Sequence, residues 1–147
     1  MKVFKSLYSD EHPSTVLAVS NIGGLYNRIE KWDKAEEYIT AALRGFISIY
    51  GEQHPNVAIA YNNLAKLWDN REQFEKGLEY HRKALSIRQK VLGPDHYDTG
   101  LSLKEIGNEF MELGKYSEAE ENFTKSLKIF LKIGGEEHID YGRDSRD

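Results

Sequence analysis

Histidines are the residues of this chain best suited to bind a metal or carry protons, and four of the five, His12, His54, His96 and His138, recur at intervals of 42 residues. Imidazoles that converge can hold a zinc ion. Equivalent positions a whole repeat apart do not converge, so the regular histidines read as turn residues and no metal site is expected. The fifth, His81, stands where the other repeats carry Ile39 and Phe123 and reads as a packed histidine, with its neighbours Glu79 and Tyr80 pointing elsewhere on the helix. Glu36-Glu37 and Glu120-Glu121 have the residue types of an acid/base pair, but both fall on the outer face of a helix and read as solvated charge. No phosphate-cradling glycine motif, nucleophile elbow or His-Glu-x-x-His pattern occurs. The chain is therefore not expected to be an enzyme or to carry a cofactor.

Bulk properties narrow the partners. A net charge of -4 leaves no excess of Lys and Arg to neutralise a phosphate backbone, so nucleic acid is not the expected ligand. There is no cysteine, which removes disulfides, thiolate nucleophiles and Cys-based zinc sites together. No apolar run is long enough to cross a bilayer, and Met1-Lys2-Val3-Phe4-Lys5-Ser6 lacks the pattern of a signal peptide. A cytoplasmic location with no membrane partner is the expectation.

The elements that must carry these residues follow from the 42-residue period. Val19, Tyr61 and Leu103 share one column; Ile22, Leu64 and Ile106 the next; then small Gly23, Ala65 and Gly107; then aromatic Tyr26, Trp68 and Phe110. Offsets of three, four and seven mark one face of a helix. After a polar turn come Trp32, Phe74 and Tyr116, small Ala35, Gly77 and Ala119, then Ile39, His81 and Phe123, Ala42, Ala84 and Ser126, and Leu43, Leu85 and Leu127. This is a second, longer amphipathic helix. The spacing predicts first helices over 13–28, 55–70 and 97–112 and second helices over 33–50, 75–92 and 117–133. Small columns let antiparallel helices approach closely. The three prolines lie in connections, with Pro13 and Pro55 suited to the first helical position, and Gly51, Gly93 and Gly135 are placed to end the long helices. Histidine before proline is not a preferred N-cap, and the residues alone give no reason for that column.

At these positions the sequence resembles the tetratricopeptide repeat, with Val19, Ile22, Gly23, Tyr26, Ala35, Ile39 and Ala42, and their equivalents, on the signature spacing. The 42-residue variant with a Gly-x-x-His-Pro turn is similar to the repeats of kinesin light chains and nephrocystin-type proteins, over about residues 3–140. The resemblance implies an all-α, right-handed superhelical solenoid of antiparallel helix pairs. It implies one solenoid segment over 1–147: the end of a preceding repeat at 1–10, repeats at 11–51, 52–93 and 94–135, and a partial fourth repeat or tail at 136–147. Phe4, Leu7 and Tyr8 match Phe46, Ile49 and Tyr50, and neither end supplies a polar capping unit, so a longer array or larger complex is expected.

Function then rests on the first helices, whose sides away from the second helices would line a concave surface. Asn27, Asn62, Asn63, Lys66, Asn70, Lys104 and Asn108 are the candidate peptide-binding residues, with apolar Leu17, Ile59, Leu101 and Met111 beside them. A carboxamide both donates and accepts, so an Asn ladder can hold an extended backbone; the alternative is that Asn is simply tolerated on a wet surface. The resemblance favours the former. A chaperone-type carboxylate grip is not expected, because its matching positions are Ser20, Gly24, Asn63, Leu101 and Glu105, and only Asn63 fits. The leading expectation is an adaptor or scaffold that binds a protein or extended peptide, as the cargo-binding array of kinesin light chains does. The alternatives are an architectural subunit of a large cytoskeletal or ciliary assembly and a regulatory sensor arm of a multidomain signalling protein.

Overall fold

The computed structural model describes the backbone of residues 12–146 and the side chains of residues 12–134. Six helices follow one another: α1 (Pro13–Arg28), α2 (Trp32–Tyr50), α3 (Pro55–Asn70), α4 (Phe74–Val91), α5 (Tyr97–Glu112) and α6 (Tyr116–Arg146). No strand occurs among the described residues. The odd-numbered helices match their expected spans, and the even-numbered ones begin one residue early. The reading of residues 1–10 as the end of another repeat lies outside the described residues.

Each odd helix pairs with the next even one, and each even helix packs on the following odd one. The result is a stack of helix pairs, an all-α solenoid. Apolar stripes interlock at the junctions: Val16, Val19, Ala42 and Phe46 meet Val57, Ala58 and Ala60 in one cluster, while Ala35 and Ile39 pack on Leu64 and Leu67 in another. Leu78, Ile106, Phe110 and Ala119 form a third. Burial of such side chains stabilises the fold by roughly 1.5–3 kcal/mol each. At Gly107 a side chain would come within 2.6 Å of the Phe123 ring, so the close α5–α6 crossing requires glycine there. The columns are not equally buried. Leu64 and Ile106 are covered by the preceding repeat, whereas Ile22 stays exposed because no described element lies on that side of α1. Leu127 is exposed on the opposite end of the stack for the same reason.

The repeating histidine now has a physical role. His12, His54 and His96 are the N-caps of α1, α3 and α5, and in each the imidazole Nδ1 accepts a hydrogen bond from the backbone N–H two residues on, at 3.2, 3.0 and 3.0 Å. An imidazole lone pair does what the oxygen of Ser or Asp does at a helix start, satisfying a donor that has no partner inside the helix. Tyr50 stacks on His54 with ring centroids 4.0 Å apart, fixing the ring against the end of the preceding helix.

Helix ends follow the expected chemistry in two repeats and depart from it in the third. Gly51 and Gly93 take φ of 85° and 101°, the left-handed region that glycine enters without a Cβ clash. The turn expected at Gly135 is not formed, because α6 continues through Gly134 and Gly135 to Arg146. The turns that lead into the first helices each have a proline at or just before the helix start, Pro13, Pro55 and Pro94, whereas 134–139 reads Gly-Gly-Glu-Glu-His-Ile and has none to interrupt the helical ladder.

If the Nδ1 bond is what the column requires, His54→Ala should destabilise the fold by about 0.5–2 kcal/mol, and His54→Asn should recover most of that loss. Urea unfolding followed by circular dichroism reads both. Equal loss in the two variants would mean that stacking on Tyr50, not the cap, is what holds the residue.

Candidate functional site

The most unusual chemistry lies inside the stack, where α4 is held between α3 and α5. Three polar residues of this junction occupy columns that are apolar in the other repeats: His81 replaces Ile39 and Phe123, Arg88 replaces Phe46 and Phe130, and Glu109 replaces Leu25 and Leu67. Helical periodicity turns all three inward, so burial of charge is built into the repeat itself. Buried charges must find partners or change protonation. The His81 side chain is 2% exposed and that of Glu109 3%.

Three carboxylates surround the imidazole. His81 Nε2 lies 3.3 Å from Asp69 Oδ2 and 3.2 Å from Glu109 Oε2, and Nδ1 lies 3.6 Å from Glu105 Oε1. On the other side Arg88 donates to Ser102 Oγ at 2.8 Å. Asn62 stands between Arg88 and His81. With its oxygen turned to the guanidinium it accepts two bonds, at 2.8 and 3.0 Å, and its amide N–H then donates to His81 Nδ1 at 3.2 Å. Turned the other way, its oxygen meets Nδ1 and its NH2 faces a guanidinium that can only donate. The first orientation satisfies Arg88 but needs a lone pair on Nδ1, while the carboxylates favour a ring protonated on both nitrogens. Three anions outweigh one amide bond, so the imidazole pKa rises.

Its direction and that of Glu109 can be traced to cause. Burial alone would lower the His81 pKa, but the Asp69 and Glu109 carboxylates beside Nε2 and the charge of Glu105 raise it from 6.5 to about 9. Burial raises Glu109 from 4.5 to about 7, with the nearby Asp69 adding to the rise and His81 opposing it. No hydrogen bond reaches Asp69 Oδ1, Glu105 Oε1 or Glu109 Oε2, although all three atoms are buried. The cluster is thus rich in acceptors and short of donors.

It also shapes the surface outside it. Among the described residues α1 and α3 approach each other directly, whereas α3 and α5 have no Cα atoms within 8 Å and are joined through α4. A cleft of about 550 Å³ lies there, lined by Asp69, Asn70, Glu72, Phe74, Asn108, Glu109 and Glu112.

The candidate peptide-binding residues divide by location. Lys66, Asn70, Lys104 and Asn108 are exposed on α3 and α5, and Asn27 and Asn63 are half-buried. Asn70 Nδ2 donates to Asn27 Oδ1 at 2.9 Å, so these two tie the ends of α1 and α3 together. Asn62 does not belong to an accessible surface: it is buried and occupied by His81 and Arg88. Glu109 had not been singled out by residue type and periodicity. The signal that marks it is the same as for His81 and Arg88, a polar residue in an apolar column.

Both raised pKa values give stability the same pH slope. Between about pH 4.5 and 9 the folded chain binds more protons than the unfolded chain, so stability falls as pH rises. The Glu109 contribution is whole below 4.5 and lost as pH climbs through about 7; that of His81 is whole below 6.5 and lost through about 9. In chelator-treated protein, denaturant midpoints should therefore decline from pH 5 to 9, and Glu109→Gln should flatten the part between 5 and 7. A wild-type profile that rises over this range would contradict the cluster's electrostatics.

Comparison with known proteins agrees with the stack of helix pairs. No curated protein sequence matches the chain. Among solved structures, BtubC (BKLC) from P. vanneervenii superimposes with a TM-score of 0.79 at 26% identity, over 85% of this chain and 50% of that one. The nearly identical TPR-like repeats of a protein described as a kinesin light chain from Podosopora anserina give 0.72 at 20% identity, over 83% and 58%. The N-terminal domain of stress-induced protein-1 from C. elegans gives 0.65 at 19% identity, over 80% and 86%. The chain thus spans about half the length of the first two. The sequence model of the tetratricopeptide repeat matches residues 14–67 and 70–132, and the chain belongs to that family.

Proposed function

We propose that this chain is a scaffold that holds an extended peptide, or an extended segment of a protein, along the inner face of its first helices. Tetratricopeptide arrays are protein-interaction modules, typically without catalytic activity. The observation that carries the proposal here is a face on which apolar and polar side chains are both left accessible in register. Leu17 and Ile59, one repeat apart, are 53% and 46% exposed, and Met111 is 45% exposed. Lys66, Lys104 and Asn108 are exposed beside them, and Asn63 is half-buried. Apolar side chains give a ligand area to bury, and carboxamides and ammonium groups can meet its backbone and carboxylates. A peptide must lose conformational entropy on binding, so the affinity of one short array is modest.

A kinesin-light-chain-like adaptor role in the cytoplasm is the finer form of this reading, and it rests on the 42-residue repeat and the kinesin-light-chain-like structural neighbour. The architectural alternative has its own support. Tyr116, Leu127 and Leu131 are 69, 53 and 61% exposed on α6. With Met111, Ala119 and Phe123, Tyr116 and Leu127 line an open cavity of about 490 Å³, a surface suited to permanent cover.

A displayed library of extended peptides tests the inner face. The Asn63→Ala/Lys104→Glu variant, both changes at accessible positions, should keep its helical spectrum and bind selected peptides at least tenfold more weakly, on the order of 1.4 kcal/mol. Lys90→Glu, exposed on α4, should bind as wild type. If Lys90→Glu loses the peptides and the inner-face variant keeps them, binding lies on the second helices and the architectural reading is the better one.

A further inference from the structure

We infer that Asp69, His81 and Glu109 form a binding site for a divalent transition cation of the zinc class, held between repeats 2 and 3 at the junction of α3, α4 and α5. This goes beyond the peptide-binding proposal and does not depend on it. Three donors of the right kind, an imidazole nitrogen and two carboxylate oxygens, lie within 4.8 Å of one another. Separations of 3.3 Å from His81 Nε2 to Asp69 Oδ2 and 3.2 Å to Glu109 Oε2 are close to the roughly 3.3 Å edge of a tetrahedron with metal bonds of about 2.0–2.1 Å. The ring's single Nε2–H can serve only one of the carboxylates. The nearly fully buried Glu109 is left with Oε2 unpartnered, and Asp69 with Oδ1 unpartnered.

Charge, support and access point the same way. With the ring neutral, as a ligand must be, Asp69, Glu105 and Glu109 set three negative charges against the one positive charge of Arg88, which Asp98 also faces, and a divalent ion offsets the excess. With Nε2 on the ion, Nδ1 carries the ring proton and the Asn62 amide no longer donates to it. The acceptors that face this N–H are Glu105 Oε1 at 3.6 Å and, with its amide turned the other way, Asn62 Oδ1 at 3.2 Å; metal-bound histidines commonly donate their second N–H to such an oxygen. Room for the carboxylates comes from Gly77. A Cβ there would run into Asp69 Oδ1 and come within 2.8 Å of Glu109 Oε2, and the same column is alanine in the other two repeats, Ala35 and Ala119. Asp69 and Glu109 both border the 550 Å³ cleft, with Glu72 and Glu112 at its walls. An ion can enter from there, and a water can complete the fourth position.

Metal-stripped protein titrated with Zn2+ in a calorimeter should bind one ion per chain at this site, and Zn2+ should raise the melting temperature saturably and reversibly with chelator. Co2+ should give the visible absorption bands of four-coordinate cobalt. His81→Ile, the residue of the equivalent column in repeat 1, should fold and lose at least ~100-fold in Zn2+ affinity, since it deletes a ligand where even supporting residues are worth 10–100-fold. Asp69→Asn, which keeps shape, should also abolish the cobalt bands, and Glu105→Gln should weaken Zn2+ about tenfold or more. His96→Asn, at a surface N-cap, should change nothing. Zn2+ affinity unaltered by His81→Ile and Asp69→Asn but lost with His96→Asn, or no saturable thermal shift in wild type, overturns the site and leaves only adventitious surface binding.

Discussion

A helix pair cannot bury its own apolar stripe, and the helix arrangement of this chain follows from the need to stack each pair on the next. The stacking needs close crossings, which small residues such as Gly107 permit, and it needs turns that redirect the chain identically in each repeat. The histidine caps supply the second. They tie the start of each first helix through the imidazole Nδ1. The repeat period is thus fixed as much by hydrogen-bond satisfaction at helix starts as by apolar burial.

The junction of repeats 2 and 3 meets the same constraint by other means. Where repeats 1 and 2 interlock through Ile39, Leu64 and Leu67, the next junction places an imidazole, a guanidinium and three carboxylates in its interior. Removing so much charge from water is costly, and such clusters contribute less than a well-packed apolar core of the same volume. The buried oxygens without donors make the cost greater still. A cluster that does not serve stability is most simply understood as serving a ligand, which is why the cation site and the wide cleft beside it are read together.

Much of the fold was legible because the repeat amplifies weak signals. A single Gly or His says little, but a column of three at one period fixes register, and the odd helices came out at their expected bounds. The end of α6 did not, because Gly135 has the residue type of a helix stop without the proline that the turns leading into the first helices carry. Exposure of Ile22 and Leu127 has a related reason: a column describes what a position faces in a continuous stack, not which neighbour is there to cover it. The polar cluster was legible only in part. His81 was recognised as packed, but its partners come from α3 and α5, at Asp69, Glu105 and Glu109, and nothing in the period of α4 alone points to them. What marks the cluster is disagreement with the repeat, polar side chains at His81, Arg88 and Glu109 in columns that are otherwise apolar. Asn62 shows the converse error, since its residue type suited a binding ladder while its helical phase put it inside.

The central claim is that this junction is built for chemistry at the expense of stability. The most direct measurement is denaturant unfolding, without metal, of a variant in which the cluster is returned to the repeat pattern: Asp69→Asn, His81→Ile, Arg88→Phe and Glu109→Leu, each the residue of the matching column in another repeat. The account predicts that this variant is more stable than the wild type by about 1–4 kcal/mol, as when buried ion networks elsewhere are replaced by apolar side chains. A variant less stable than the wild type would contradict it and identify the cluster as a structural tie between the repeats.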